Sequence, residues 1–120
     1  MNRLIAIDFD DTITKHSPYP IMGELNQEAA SYIVKLHKAG YTLALWTCRS
    51  GKYLDEAVQL LKDNNLYDCF TFINDDLYHN NDHRKIIASF YIDDRSTLGE
   101  INWQQVYSYI LKTFPIGDEQ

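Results

Sequence analysis

The sequence predicts an α/β domain built around a mostly parallel sheet. Three observations carry this. Short apolar runs alternate with helical segments along the chain, which is the pattern of βαβ crossovers. The first run, Leu4 to Ile7, is continuously aliphatic, as a strand buried on both faces is. That run, and a later one at Phe90-Tyr91-Ile92, both end in acids. Such acids lie at the carboxyl edge of the sheet, where open α/β folds bind ligands.

The first strand leads into Asp8-Phe9-Asp10-Asp11-Thr12. From Ile13 to Glu24 the chain holds Pro18, Pro20 and Gly23, and two prolines so close exclude a regular helix or a central strand. A short flap is expected. Asn26 is a candidate N-cap, followed by Ala29, Ile33 and Leu36 at helical spacing and an end at Ala39-Gly40. Tyr41 to Thr47 is the second strand and Cys48 to Lys52 a loop. Leu54, Ala57, Val58 and Leu61 mark one face of a second helix, stopped by Asn64-Asn65. Cys69 to Ile73 reads as the third strand, and Asn74 to His83 is too polar for core. Arg84-Lys85 precedes a fourth apolar segment that begins at Ile86 and closes on Asp93-Asp94. Trp103, Val106, Tyr107, Ile110, Leu111 and Phe114 form the last amphipathic stripe.

A chain of 120 residues makes one domain, here 1–120, with a single core. Apolar residues at 45% and charged residues at 23% are ordinary for a globular protein. No run is long and apolar enough for a membrane, and Met1-Asn2-Arg3 passes straight into a strand without a signal peptide. Cys48 and Cys69 read as reduced core residues, so a cytoplasmic protein is expected. A net charge of −6 disfavours nucleic acid and anionic lipid as partners, because both need a basic face.

Asp8 and Asp10 are two apart, so a chain still extended there would point both carboxylates the same way. Adjacent carboxylates repel unless a cation or a shared proton separates them. A hard cation such as Mg²⁺ is the simplest answer. In a parallel sheet the first, second and fourth strand ends converge, bringing together Asp8, Asp10, Thr47, Asp93 and Asp94, with Lys85 just before the fourth strand. Each residue type suits phosphoryl transfer. A carboxylate can attack phosphorus, and a second can move the leaving group's proton. A hydroxyl and an ammonium can hold the non-bridging oxygens.

At this point the chain resembles the haloacid dehalogenase superfamily of phosphatases over nearly its whole length. That family's first motif, Asp-x-Asp-x-Thr after an apolar strand, stands here as Asp8-Phe9-Asp10-Asp11-Thr12. Its second is matched by Leu43-Ala44-Leu45-Trp46-Thr47, its third by Lys85 and its fourth by Phe90-Tyr91-Ile92-Asp93-Asp94. The resemblance implies a three-layer Rossmann-like domain and Mg²⁺-dependent hydrolysis through an aspartyl-phosphate. It implies Asp8 as nucleophile and Asp10 as general acid and base. It implies phosphate contacts from Thr47 and Lys85, and Mg²⁺ on Asp8, the Asp10 backbone carbonyl and Asp93, with Asp94 in support.

The chain departs from the family in two ways. Gly is common in the family where this chain has Asp11. The flap and the Asn74–His83 loop are also too short for the cap domain that usually sets specificity. The substrate, small or macromolecular, is therefore left open, and a second copy of the chain is a candidate lid. Thr12, Cys48, Arg49 and Arg95 are further candidate substrate contacts. For the two arginines, surface placement or pairing with a carboxylate is the rival reading. His79 and His83, four apart, have zinc-like spacing but no helical stripe. The alternative functions are a signalling receiver, with Asp75 as acceptor, and a non-catalytic phosphate- or metal-binding module.

Overall fold

The computed structural model describes residues 3–76, 86–93 and 100–116. Its elements are β1 (Leu4–Asp8), α1 (Gln27–Lys38), β2 (Thr42–Trp46), α2 (Gly51–Asp63), a 3-10 turn (Tyr67–Cys69), β3 (Phe70–Ile73), β4 (Phe90–Ile92) and α3 (Trp103–Thr113). The four strands form one sheet in the order β3-β2-β1-β4, and every neighbouring pair is parallel. The predicted α/β class and parallel sheet are what the chain adopts.

Strand β1 lies inside the sheet because it can bury both faces. Ile5 and Ile7 enter one core while Leu4 and Ala6 enter the other. Full burial of each larger aliphatic side chain stabilises by roughly 1.5–3 kcal/mol. The larger core collects the apolar stripes of all three helices: Ala29, Ile33 and Leu36, then Ala57 and Leu61, then Trp103 and Ile110. On the opposite face, among the described residues, Ile86 covers Leu4, Ala6 and Ala44, joined by Trp46, Phe72, Ala88 and Tyr91.

The helix ends follow local chemistry. Asn26 caps α1 as expected, its Oδ1 accepting from the backbone N–H of Glu28 at 3.0 Å and Ala29 at 3.2 Å. Helix α2 begins at Gly51, inside the stretch expected as loop. Its first turn holds only Gly51 and Lys52 before Tyr53, so no apolar period marks it. Strand β3 begins one residue late, because Cys69 belongs to the 3-10 turn. Cys69 is buried, but Cys48 is exposed, which corrects its reading as core: it lies beyond the end of β2.

Two tethers hold the site's surroundings. The buried Tyr41 hydroxyl donates to the carbonyls of Phe114 at 2.8 Å and Ile110 at 3.3 Å, pinning the start of β2 to the end of α3. The flap is closed at its base by a bridge between Thr14 and Leu25 and by the Lys15 N–H to the Glu24 carbonyl at 2.7 Å. Gly23 makes this closure fit, since a Cβ there would stand 2.2 Å from the Lys15 carbonyl oxygen. No helix among the described residues is long and apolar enough to cross a membrane.

Candidate active site

The sheet register builds the site. Ile7 pairs with Ile92 and Asp8 with Trp46. Asp8 at the end of β1, Thr47 after β2 and Asp93 after β4 therefore share the carboxyl edge. All three line one cavity of about 620 Å³. Asp10, Asp11 and Cys48 also line it, and the flap adds His16, Ser17, Pro18 and Tyr19.

The chain leaves the strand at Asp8 rather than continuing extended through Asp10. The Phe9 carbonyl accepts from the N–H of Ile13 at 2.9 Å and of Thr14 at 3.2 Å, folding residues 10–13 into a tight turn. Asp8 and Asp10 still reach the same cavity. Asp11 sits at φ +63°, a left-handed conformation that glycine adopts freely and that Asp tolerates better than most residues.

Arg49 is the partner of the Asp10 carboxylate. Its buried guanidinium donates from Nε to Oδ2 at 2.9 Å and from Nη2 to Oδ1 at 2.8 Å. Nη2 also donates to the Pro20 carbonyl at 3.2 Å, and Nη1 to that of Tyr53 at 3.4 Å. The cation lies 5.5 Å from the Phe9 ring centre and 5.4 Å from that of Tyr19. The hydrogen bonds to Asp10 hold Arg49 above its ordinary pKa, against the opposing effect of burial. Of the two readings of Arg49, pairing with a carboxylate is the one found, and Arg49 does not line the cavity. Thr12 is 2% exposed, and its hydroxyl donates to Asp8 Oδ2 at 3.4 Å. Thr12 thus contacts Asp8 and does not line this cavity. Cys48, by contrast, stands exposed on the cavity wall. Lys85, Asp94 and Arg95 lie outside the described residues, as do His79 and His83.

Asn74 is a residue that sequence reading missed. Its Oδ1 accepts from the Thr47 N–H at 2.8 Å, and its own N–H donates to the Leu45 carbonyl at 2.7 Å. It adopts φ +54°, which Asn tolerates, and so holds the end of β2 in place. The only signal available was an Asn immediately after an apolar strand. Thr47 Oγ1 accepts from the Arg49 N–H at 3.1 Å, fixing the hydroxyl. Asp75, the receiver-type candidate, does not line the cavity; its Oδ1 accepts from the Asp76 N–H at 2.8 Å.

The donor set fits Mg²⁺ in a restricted form. Among the described residues no group of three or more His, Cys, Asp or Glu side chains is placed to hold a metal. With the Asp10 carboxylate held by Arg49, the carboxylates of Asp8 and Asp93 on the cavity wall, and by the resemblance the Asp10 backbone carbonyl, are the oxygen donors that would hold the ion. That all-oxygen set suits Mg²⁺, which normally keeps several waters.

Beside these contacts stands a second pair, Asp11 and His16. His16 Nδ1 lies 3.1 Å from Asp11 Oδ2, and Asp11 Oδ1 accepts from the Ser17 N–H at 3.3 Å. The two residues form a wall between the first cavity and a second of about 550 Å³.

The chain is similar to the solved structure of a conserved protein from Bacteroides thetaiotaomicron, with 33% identity, complete coverage of both chains and a TM-score of 0.79. No protein-family model and no curated protein matches it.

Proposed function

We propose that this chain, which belongs to the same family as that conserved Bacteroides thetaiotaomicron protein, is a Mg²⁺-dependent phosphohydrolase of the haloacid dehalogenase type. The observation that carries this reading is the convergence of Asp8, Thr47 and Asp93, from three different strands, on one cavity at the carboxyl edge. Asp8, oriented by Thr12, is the nucleophile. Its oxygen bonds to phosphorus as the ester's leaving oxygen departs, and water later breaks the aspartyl-phosphate. The Thr47 hydroxyl, and Lys85 by the resemblance, hold the non-bridging oxygens. Mg²⁺ on Asp8, Asp93 and the Asp10 carbonyl would offset the charge of an anion approaching carboxylates. Asp94 keeps the supporting role that the resemblance gives it, and Arg95 stays a candidate substrate contact.

The Asp10 carboxylate is the exception. The resemblance makes it the proton carrier, yet Arg49 engages both of its oxygens. That grip favours one rival, a module that binds phosphate or metal without turnover. A screen of phosphate monoesters with Mg²⁺, comparing wild type with Asp8→Asn, separates the two. Turnover by wild type and its loss in the variant support the hydrolase. Saturable phosphate binding without turnover by either protein supports the module. Working in the cytoplasm on a phosphorylated metabolite or macromolecule belongs to the same proposal.

A further inference from the structure

We infer that the ester taken by this site is a small phosphate monoester whose leaving group carries an uncharged aromatic ring, selected by Tyr19 of the flap and Trp46 of β2. This rests on the phosphohydrolase reading and adds the substrate class to it.

The first ground is the cavity itself. At about 620 Å³ it falls in the range of small-molecule sites and has room for more than a phosphate group. Its wall is of two kinds. Asp8, Thr47 and Asp93 come from the sheet edge and suit the phosphate and the ion. Pro18, Tyr19, Trp46 and Cys48 supply apolar wall, from the flap and from the end of β2. The rest of the ester therefore has an apolar, partly aromatic surface to lie against.

The second ground is that both rings are placed in advance. Tyr19 is 56% exposed, yet its ring has two partners. The buried Arg49 guanidinium lies 5.4 Å from its centre, and the Tyr53 ring lies 6.2 Å away at a tilt of 59°. Arg49 also donates to the carbonyl of the next residue, Pro20, at 3.2 Å, while Asp10 holds Arg49. The flap tip is thus tied to a buried side chain. Trp46 is half-buried, and its ring packs edge-on against Tyr91 with centres 5.6 Å apart. A flat ligand meets such rings without the entropy cost of ordering them.

The third ground is charge. Asp8, Asp10, Asp11 and Asp93 line the cavity, and among the described residues no Lys or Arg does. Arg49, outside the lining, offsets Asp10, and a bound Mg²⁺ would offset Asp8 and Asp93. The phosphate is met by that ion, by Thr47 and, by the resemblance, by Lys85. A second anionic group on the substrate would find no further Lys or Arg on the described wall and would face Asp11. Like charges brought together in this way select against such a ligand.

The test uses the full chain with Mg²⁺ and esters of primary alcohols of similar acidity, so that leaving-group chemistry is held constant: ethyl, cyclohexylethyl and phenethyl phosphate, and phenethyl phosphate with a para carboxylate. Wild-type kcat/KM on phenethyl phosphate is expected to exceed that on ethyl phosphate by about tenfold or more, and that on cyclohexylethyl phosphate about fivefold. The para carboxylate should lower it about tenfold. Tyr19→Phe should keep this order, because the ring does the selecting. Tyr19→Leu should remove most of the gap between the phenethyl and cyclohexylethyl esters, and Trp46→Leu, with its fold checked by melting temperature, should narrow it. Equal kcat/KM on those two esters in the wild type, or a gap undiminished in both Leu variants, would overturn the assignment. Turnover of the carboxylate ester as fast as of phenethyl phosphate would overturn the uncharged class. A wild type that hydrolyses none of the esters would contradict the phosphohydrolase reading. Calorimetric Kd values for the same esters would then decide the aromatic preference: tighter binding of phenethyl phosphate supports it, and equal Kd values overturn it.

Discussion

Arg49 holds Asp10 by both carboxylate oxygens, with Nε at 2.9 Å from one and Nη2 at 2.8 Å from the other. The pair joins three parts of the chain. Asp10 follows β1, Arg49 precedes α2, and the Pro20 carbonyl that Arg49 also binds belongs to the flap. Replacing Arg49 by Ala should cost roughly 2–4 kcal/mol, because a carboxylate is left partly buried without its cation. Arg49→Lys should recover little, since an ammonium cannot form the two-pronged contact. Urea titration of both variants checks this. Arg49→Ala combined with Asp10→Asn should cost less than the two single changes added together.

The flap depends on Gly23. A Cβ there would stand 2.2 Å from the Lys15 carbonyl oxygen, which is backbone and cannot step aside. Gly23→Ala should therefore open the bridge between Thr14 and Leu25 and destabilise by roughly 1–3 kcal/mol. Limited proteolysis should show faster cleavage between residues 15 and 24 than in wild type, and an unchanged cleavage rate would deny the flap its closed base.

Tyr41 makes stability sensitive to alkali. Burial raises its hydroxyl above the ordinary tyrosine pKa, the neighbouring Tyr107 adds to this, and Arg3 opposes it. A raised folded-state pKa gives stability that is complete below the unfolded value, near 10, and that is lost as pH rises through the folded value. Tyr41→Phe should cost about 1 kcal/mol at neutral pH and flatten the alkaline decline, because the carbonyls of Phe114 and Ile110 lose their donor. Melting temperature measured from pH 7 to 11 for the two proteins tests both parts.

A divalent ion that binds only the folded chain must stabilise it, by about 2.7 kcal/mol at a hundredfold excess over Kd. Millimolar Mg²⁺ should raise the melting temperature, and Asp93→Asn should remove most of the rise. Equal shifts in wild type and variant would put the ion elsewhere.

The fold was legible because its strongest signals are local and repeated. Leu4 to Ile7 is apolar on both faces, Asn26 is a good cap, and the stripes of Ala29, Ile33, Leu36 and of Trp103, Val106, Ile110 have helical period. The convergence of Asp8, Thr47 and Asp93 followed from parallel topology alone. What escaped were contacts between residues far apart in sequence. Nothing in the sequence chooses Asp10 as the partner of Arg49, 39 positions away. Nor does it show that Asn74 will hold the Thr47 N–H. Asp11 read only as a departure from a common Gly, because its left-handed backbone and its contact with His16 exist only once the turn after β1 has formed. Cys48 read as core because it adjoins an apolar strand, and the strand ends before it.

The most direct measurement of the central claim is acid quenching of the wild-type chain during turnover of p-nitrophenyl phosphate with Mg²⁺, followed by mass-spectrometric mapping of the phosphorylated residue. The account predicts phosphate on Asp8, and none anywhere in Asp8→Asn. Steady turnover with phosphate on another residue, or undiminished turnover by Asp8→Asn, would contradict it.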